Sequence, residues 1–156
     1  RGIYPAAEPS SHALLYDADC GFCRWALGWV LRWDRYGRVR PVALQAPDAP
    51  ELLPGMTAEE RMASWHLVGP DDPAHTAGGA RSAGAAAAPL LRLLPCGAPL
   101  AALCERFPRA IDVAYAWVVR HRSRFGQLVS AGAARRAQGV IAARSPGTGA
   151  CSDELP

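Results

Sequence analysis

The sequence predicts an α/β fold with a central sheet flanked by helices. Three observations carry this. The apolar run Ala13-Leu14-Leu15-Tyr16 has the length of a buried strand and leads into a helical pattern over 21–35. Strands and helices then alternate as strand, helix, strand, short helix, strand, strand, helix, the βαβ–ββα order. From about residue 98 the pattern is helical only, a C-terminal helical extension.

Each element has its own local reason. Residues 1–12 are rich in Pro, Ser and Ala and read as a flexible leader. Residues 13–17 form the first strand, closed by the turn-like Asp17-Ala18-Asp19. In the helix over 21–35, Phe22, Trp25, Ala26, Trp29, Val30 and Trp33 fall on one broad face, which predicts that the tryptophans pack in the core. Gly37 is placed to cap its C-terminus. Residues 38–44 read as a second strand, and Pro41 points to an edge or an irregularity in it. A Pro-rich loop over 45–56 precedes Thr57-Ala58-Glu59-Glu60, a capping box that starts a short helix.

Residues 64–68 read as a third strand. Gly69-Pro70-Asp71-Asp72-Pro73 is turn chemistry, with a returning strand expected over 74–79. Ser82 can cap the next helix, which runs to about 94 with a kink or break at Pro89. A short helix over 99–107 follows, and Pro108 suits the first turn of the next one. There Ile111, Ala114, Tyr115 and Val118 have the spacing of a buried stripe. Residues 128–143 read as an Ala/Arg helix, followed by a Pro/Gly/Ser-rich tail. The predicted organisation is a leader over 1–12, one domain over 13–128, and a 129–156 segment ending in a flexible tail.

Composition narrows the class. At 156 residues, half of them hydrophobic, the chain can bury the core of one globular domain. No stretch approaches the roughly 20 apolar residues of a membrane span, so no stable membrane insertion is expected. All 17 basic residues are arginine, which reads as GC-rich codon usage; a formal net charge of +3 does not point to nucleic acid. Five cysteines is an odd number, and Cys96, Cys104 and Cys151 follow no framework spacing. That pattern fits a reducing, cytoplasmic setting. The chain starts at Arg1 without a visible secretory apolar stretch, which leaves a processed N-terminus open.

The chemistry-bearing feature is Asp17-x-x-Cys20-x-x-Cys23, at the junction of the first strand and helix. Unpaired backbone N–H groups at a helix start favour a thiolate. Cys20 is therefore the candidate nucleophile toward a disulfide, and Cys23, one turn on, the resolving thiol. Arg24 would assist if it folded toward the sulfurs, whereas Asp17 and Asp19 oppose a further negative charge. Asp17 has two readings, a proton acceptor for Cys23 or a turn cap. Asp19 reads as a helix N-terminal cap. Phe22 and Trp25, beside the cysteines on the same helix, are candidate substrate contacts. An aromatic ledge formed by Trp25, Trp29 and Trp33 is the alternative to their packing in the core. Zinc would need two further ligands, and His66, His75 and His121 are isolated, so neither a metal nor another cofactor is predicted. Cys96 and Cys104 read as packed thiols.

The stretch from Leu15 through Cys23 resembles the DCC family of thiol–disulfide oxidoreductases, named for its Asp-x-x-Cys-x-x-Cys motif. Likeness extends to Trp65-His66-Leu67-Val68, to Arg81-Ser82-Ala83, and to the late Tyr115-Ala116-Trp117 segment ending in Arg122. The resemblance implies a thioredoxin-like fold and disulfide exchange with a disulfide-containing protein or a small-molecule thiol. Two departures stand out. Ala18 occupies a position where the family usually has glycine. Met62-Ala63-Ser64 before the third strand contains no proline, so Ser64, or Ala63, would have to fill the substrate-facing place that a cis-proline takes in thioredoxins. The alternative from another class is a non-enzymatic redox-sensing or protein-binding module whose CxxC switches a surface.

Overall fold

The computed structural model describes residues 11–70 and 80–145. Alternation along strand β1 (His12–Tyr16) divides the core in two. Leu14 and Tyr16 face Leu27 and Leu31 of helix α1 (Gly21–Trp33), together with Leu67, Leu90, Val140 and Ile141. Ala13 and Leu15 face the other way, onto Val42, Leu44, Ala49, Leu53 and Val68. The sheet is thus buried on both faces.

Strand order is β2-β1-β3-β4, with β2 at Val39–Ala43, β3 at His66–Val68 and β4 at Arg81–Ser82. β1 runs parallel to β2 and antiparallel to β3, and β3 is antiparallel to β4. This mixed four-stranded sheet flanked by helices has the thioredoxin-like arrangement. β2 is an edge strand, and Pro41 lies in it opposite Leu14, where edge placement tolerates the missing N–H.

Short helices α2 (Ala49–Leu52) and α3 (Ala58–Ala63) link β2 to β3. The expected capping box is present: the Glu60 N–H donates to Thr57 Oγ1 (3.2 Å) and the Thr57 N–H to Glu60 Oε2 (2.7 Å). After β4 a 3-10 turn (Ala83–Ala86) leads to α4 (Ala87–Leu93). The break expected at Pro89 falls earlier, at the joint between these two. Pro89 then sits in the first turn of α4, where its missing N–H costs nothing. Ser82 makes no side-chain cap; its hydroxyl meets His66 Nδ1 at 2.7 Å instead. Helices α5 (Ala98–Arg106), α6 (Pro108–Leu128) and α7 (Ala131–Arg144) complete the chain. Pro108 opens α6 as expected. The strand expected over 74–79, the leader to residue 10 and Cys151 lie outside the described residues.

Several expectations are corrected. The buried face of α1 is Cys23, Leu27, Gly28 and Leu31, and the tryptophans point away from it. Leu27 is 0% exposed, whereas Trp29 and Trp33 are 57% and 38% exposed. Trp25, Trp29 and Trp33 each stand two positions from Leu27 or Leu31, about 160° round the helix, so burying the leucine line turns the indoles away from the sheet. Gly28, where a Cβ would stand 2.7 Å from the Ala137 Cβ, is where α7 packs closely on α1. Trp33 is anchored by its Nε1–H on the Pro95 carbonyl (2.9 Å). The stripe of Ile111, Tyr115 and Val118 on α6 is half-buried and Ala114 is exposed; no α6 residue is fully buried. Cys96 is exposed and Cys104 half-buried. Helix α1 ends on Asp34, and Gly37 serves the following turn with φ 68°.

The sequence places a boundary at 128, yet the next helix contributes Val140 and Ile141 to the main core. α7 also carries Arg144, which is buried and meets Asp34 Oδ2 at 2.8 Å. Arg144 also donates to the carbonyls of Asp34 and Leu31.

Candidate active site

The junction of β1 and α1 is held by one amide. Gln45 Nε2 donates to Asp17 Oδ1 (2.9 Å) and Asp19 Oδ2 (3.2 Å), and its Oε1 accepts from the Ala18 N–H (3.2 Å). Asp17 Oδ1 also accepts from the Asp19 N–H at 3.0 Å, an Asx turn. The backbone at Ala18 stays out of the left-handed region, so the turn does not require glycine there.

This turn delivers Cys20 to the N-cap of α1, with extended backbone (φ −84°, ψ 108°). Its Sγ accepts the Cys23 backbone N–H at 3.2 Å, taking the place of a capping oxygen. Both cysteines are free thiols. Cys20 is half-buried, whereas Cys23 is buried on the sheet-facing side of the helix. Burial is the main force pushing the Cys23 thiol up, to about 12. A hydrogen bond to Cys20 and the charge of that sulfur act the same way. Opposing them are the indole N–H of Trp65, which hydrogen-bonds the Cys23 sulfur, and the charge of Arg122. The charge of Arg24 lowers the Tyr16 phenol, which burial raises.

A cleft of about 210 Å³ opens against Cys23 between α1, α6 and the entry to β3. Asp17, Phe22 and Ser64 stand in its wall with Cys23, and Met62, Val118 and Val119 give it a mainly apolar surface. Ser64 is extended (φ −153°, ψ 175°) and hydrogen-bonds Tyr115. The Tyr115 hydroxyl in turn accepts the Trp65 backbone N–H at 3.0 Å. Burial raises the Tyr115 phenol above its usual range, while its hydrogen bond from Trp65 and the charge of Arg122 pull it down.

Of the residues singled out from sequence, Asp17, Phe22, Cys23 and Ser64 share this wall, with Cys20 on the adjoining sulfur. Trp25 does not reach it. It lines a neighbouring cleft of about 290 Å³ with Phe22, Phe125 and Leu128. Phe22 stands between the two, its ring 5.8 Å from Trp25 and 5.4 Å from Phe125. Sequence reasoning missed the roles of Trp65, Tyr115, Arg122 and Gln45. Helical spacing placed Tyr115 on the correct side of α6, but a stripe pattern cannot distinguish a core residue from a cleft wall. Gln45 left no signal, being a loop residue that acts 28 positions away.

A family model describing DCC1-like thiol-disulfide oxidoreductases matches residues 14–128, most of the chain. The chain belongs to that family. No curated protein and no solved structure matches it. The DCC1-like match starts in β1 and ends with α6, so it spans both cysteines and every residue of the cleft wall. Membership supports thiol–disulfide oxidoreductase activity with thiols or disulfides as substrates. Among the described residues no group of three or more His, Cys, Asp or Glu side chains is placed to hold a metal ion. No helix among them is long and apolar enough to cross a membrane.

Proposed function

We propose that the protein exchanges disulfides through Cys20 as nucleophile and Cys23 as resolving thiol. The asymmetry of the two sulfurs carries this reading. Burial holds the Cys23 thiol well above the usual cysteine range, so at neutral pH it keeps its proton and is a poor first attacker. Cys20 sits at the helix N-terminus, partly open to solvent, with a backbone N–H on its sulfur.

The Cys20 thiolate attacks one sulfur of a substrate disulfide, and the other half leaves as a thiolate. Cys23 then gives up its proton and attacks Cys20. The second half leaves, and a Cys20–Cys23 disulfide remains. Two electrons pass from the dithiol to the substrate; an external thiol resets the site, and the reverse sequence oxidises a substrate dithiol. Asp17, in the same wall as Cys23, is the proposed proton acceptor for the resolving step. Phe22 and Ser64 are the proposed substrate contacts, with Trp25 behind Phe22. No bound cofactor takes part. Five cysteines, three of them without framework spacing beside a CxxC, favour a reducing compartment such as the cytoplasm.

Single-cysteine variants test the assignment. With a model disulfide at neutral pH, Cys23→Ser should accumulate a mixed disulfide on Cys20, visible by intact mass. Cys20→Ser should form almost none. A mixed disulfide forming on Cys23 as fast in Cys20→Ser as on Cys20 in Cys23→Ser would reverse the roles. Repeated turnover with an excess of reducing thiol separates an enzyme from a sensor that changes state once per oxidation.

A further inference from the structure

The wall of the cleft beside Cys23 is apolar apart from a few groups, and most of those are engaged. Asp17 Oδ1 accepts from Gln45 and from the Asp19 N–H. Ser64 and Tyr115 bond each other, and Tyr115 also holds the Trp65 backbone. Arg122 is different. It is half-buried in the same wall, its charge reaches both Cys23 and Tyr115, and among the described residues no carboxylate pairs with it. The buried Arg144 and the exposed Arg92 do have such partners, Asp34 and Glu105. A guanidinium set in an apolar wall favours an anion brought by a ligand, because a charge-assisted hydrogen bond gains strength where water is thinned out. The volume of about 210 Å³ is below the roughly 300 Å³ at which drug-sized pockets begin, so the occupant is about the size of one side chain.

We propose that the cleft takes one half of a small disulfide that carries a carboxylate on an apolar body, the carboxylate on Arg122 and the body between Phe22 and Val119. This rests on the disulfide-exchange reading and gives it a substrate class. Arg122 is then a substrate-binding residue. The sulfur of that half is brought to Cys20, whose own sulfur accepts the backbone N–H of Cys23 in the cleft wall.

The test compares two disulfides that differ in charge. 5,5′-Dithiobis(2-nitrobenzoate) is dianionic and 4,4′-dithiodipyridine is neutral. Reduced full-length protein with Cys96, Cys104 and Cys151 changed to serine is mixed with each, at about 0.15 M salt to screen distant charges. In Arg122→Gln the rate with the dianion should fall about tenfold relative to the rate with the neutral reagent, the scale of one charged hydrogen bond. Arg122→Lys should recover part of that ratio. Arg124→Gln, an exposed arginine on the same helix, should leave it unchanged. An unchanged ratio in Arg122→Gln, or an equal loss in Arg124→Gln, would overturn the proposal while leaving disulfide exchange intact. Exchange with neither reagent would remove the exchange reading instead. Binding of 3-nitrobenzoate to Cys20→Ser, followed by NMR, still decides the Arg122 site in that event. Chemical-shift changes that vanish in Arg122→Gln support the site, and no binding, or binding that ignores the change, rules it out.

Discussion

At its C-terminal end α1 closes on Asp34, whose carboxylate is gripped by Arg144 with 0% side-chain exposure on both residues. The backbone N–H groups of Arg38 and Val39 donate to the same carboxylate at 3.2 and 2.9 Å. At its N-terminal end the same helix opens on Cys20 and an apolar cleft. One neighbour differs as well. α7, against the closed end, buries Ala137, Val140, Ile141 and Arg144, while α6, against the open end, buries no residue completely. A single helix thus takes its rigidity from one end and leaves the other free for chemistry. At the closed end the Asp34 carboxylate is met by Arg144 and two backbone N–H groups, with Arg144 Nε the one buried side-chain donor left without a partner among the described residues, whereas at the open end a thiol and a guanidinium face a cleft.

The largest test of that contrast is Arg144→Ala. It would leave Asp34 buried without its cation, at a cost of about 3–5 kcal/mol in chemical denaturation. If the ends are separable, the alkylation rate of Cys20 should barely change in the protein that remains folded. A large parallel loss of thiol reactivity would show that they are not. Gly28→Val comes next, because its Cβ would meet Ala137 at 2.7 Å; overpacking of this kind costs about 1–3 kcal/mol, read from the denaturation midpoint. No loss there would mean that α7 is easily displaced.

The open end should respond to pH. The Cys23 thiol is raised in the folded, reduced protein, so the unfolded chain loses its proton first as pH climbs past about 9. Unfolded molecules then bind fewer protons than folded ones, and stability falls with rising pH, by roughly 1–2 kcal/mol at pH 10. This contribution is complete below the unfolded pKa and is lost toward about 12. Cys23→Ser, or oxidation to the Cys20–Cys23 disulfide, should flatten the decline in a denaturation series over pH 8–10. The smallest effect is expected from Tyr115→Phe, which removes the acceptor of the Trp65 N–H. About 1 kcal/mol or less should be lost, with a larger relative change in the rate of disulfide exchange than in stability.

Much of this was legible in the sequence for local reasons. The Asx turn after β1, the Thr57 capping box and the Pro108 helix start each depend on residues within four positions of one another. Asp17, Cys20 and Cys23 are equally local, and their grouping follows from the strand-to-helix turn. What the sequence concealed depends on distant partners. Three tryptophans at four-residue spacing look like a core stripe, but Cys23, Leu27 and Leu31 have the same spacing on the other side of the helix, and only the distant sheet strands and α7 decide which line is covered. Arg144 resembles any arginine of a solvated helix, and only the approach of α7 to the end of α1 makes it the partner of Asp34. Arg122 and Tyr115 gain their places beside Cys23 because α6 crosses the mouth of the β1–α1 junction, which no periodicity reports.

The central claim is that one sulfur of the pair is available and the other holds its proton. Alkylation of the reduced protein across pH 6–10, with each cysteine followed by peptide mass mapping, measures this directly. Cys20 should be labelled well before Cys23 at pH 7, and Cys23 should lag throughout the range. Equal rates at the two cysteines, or faster labelling of Cys23 at neutral pH, would contradict the account.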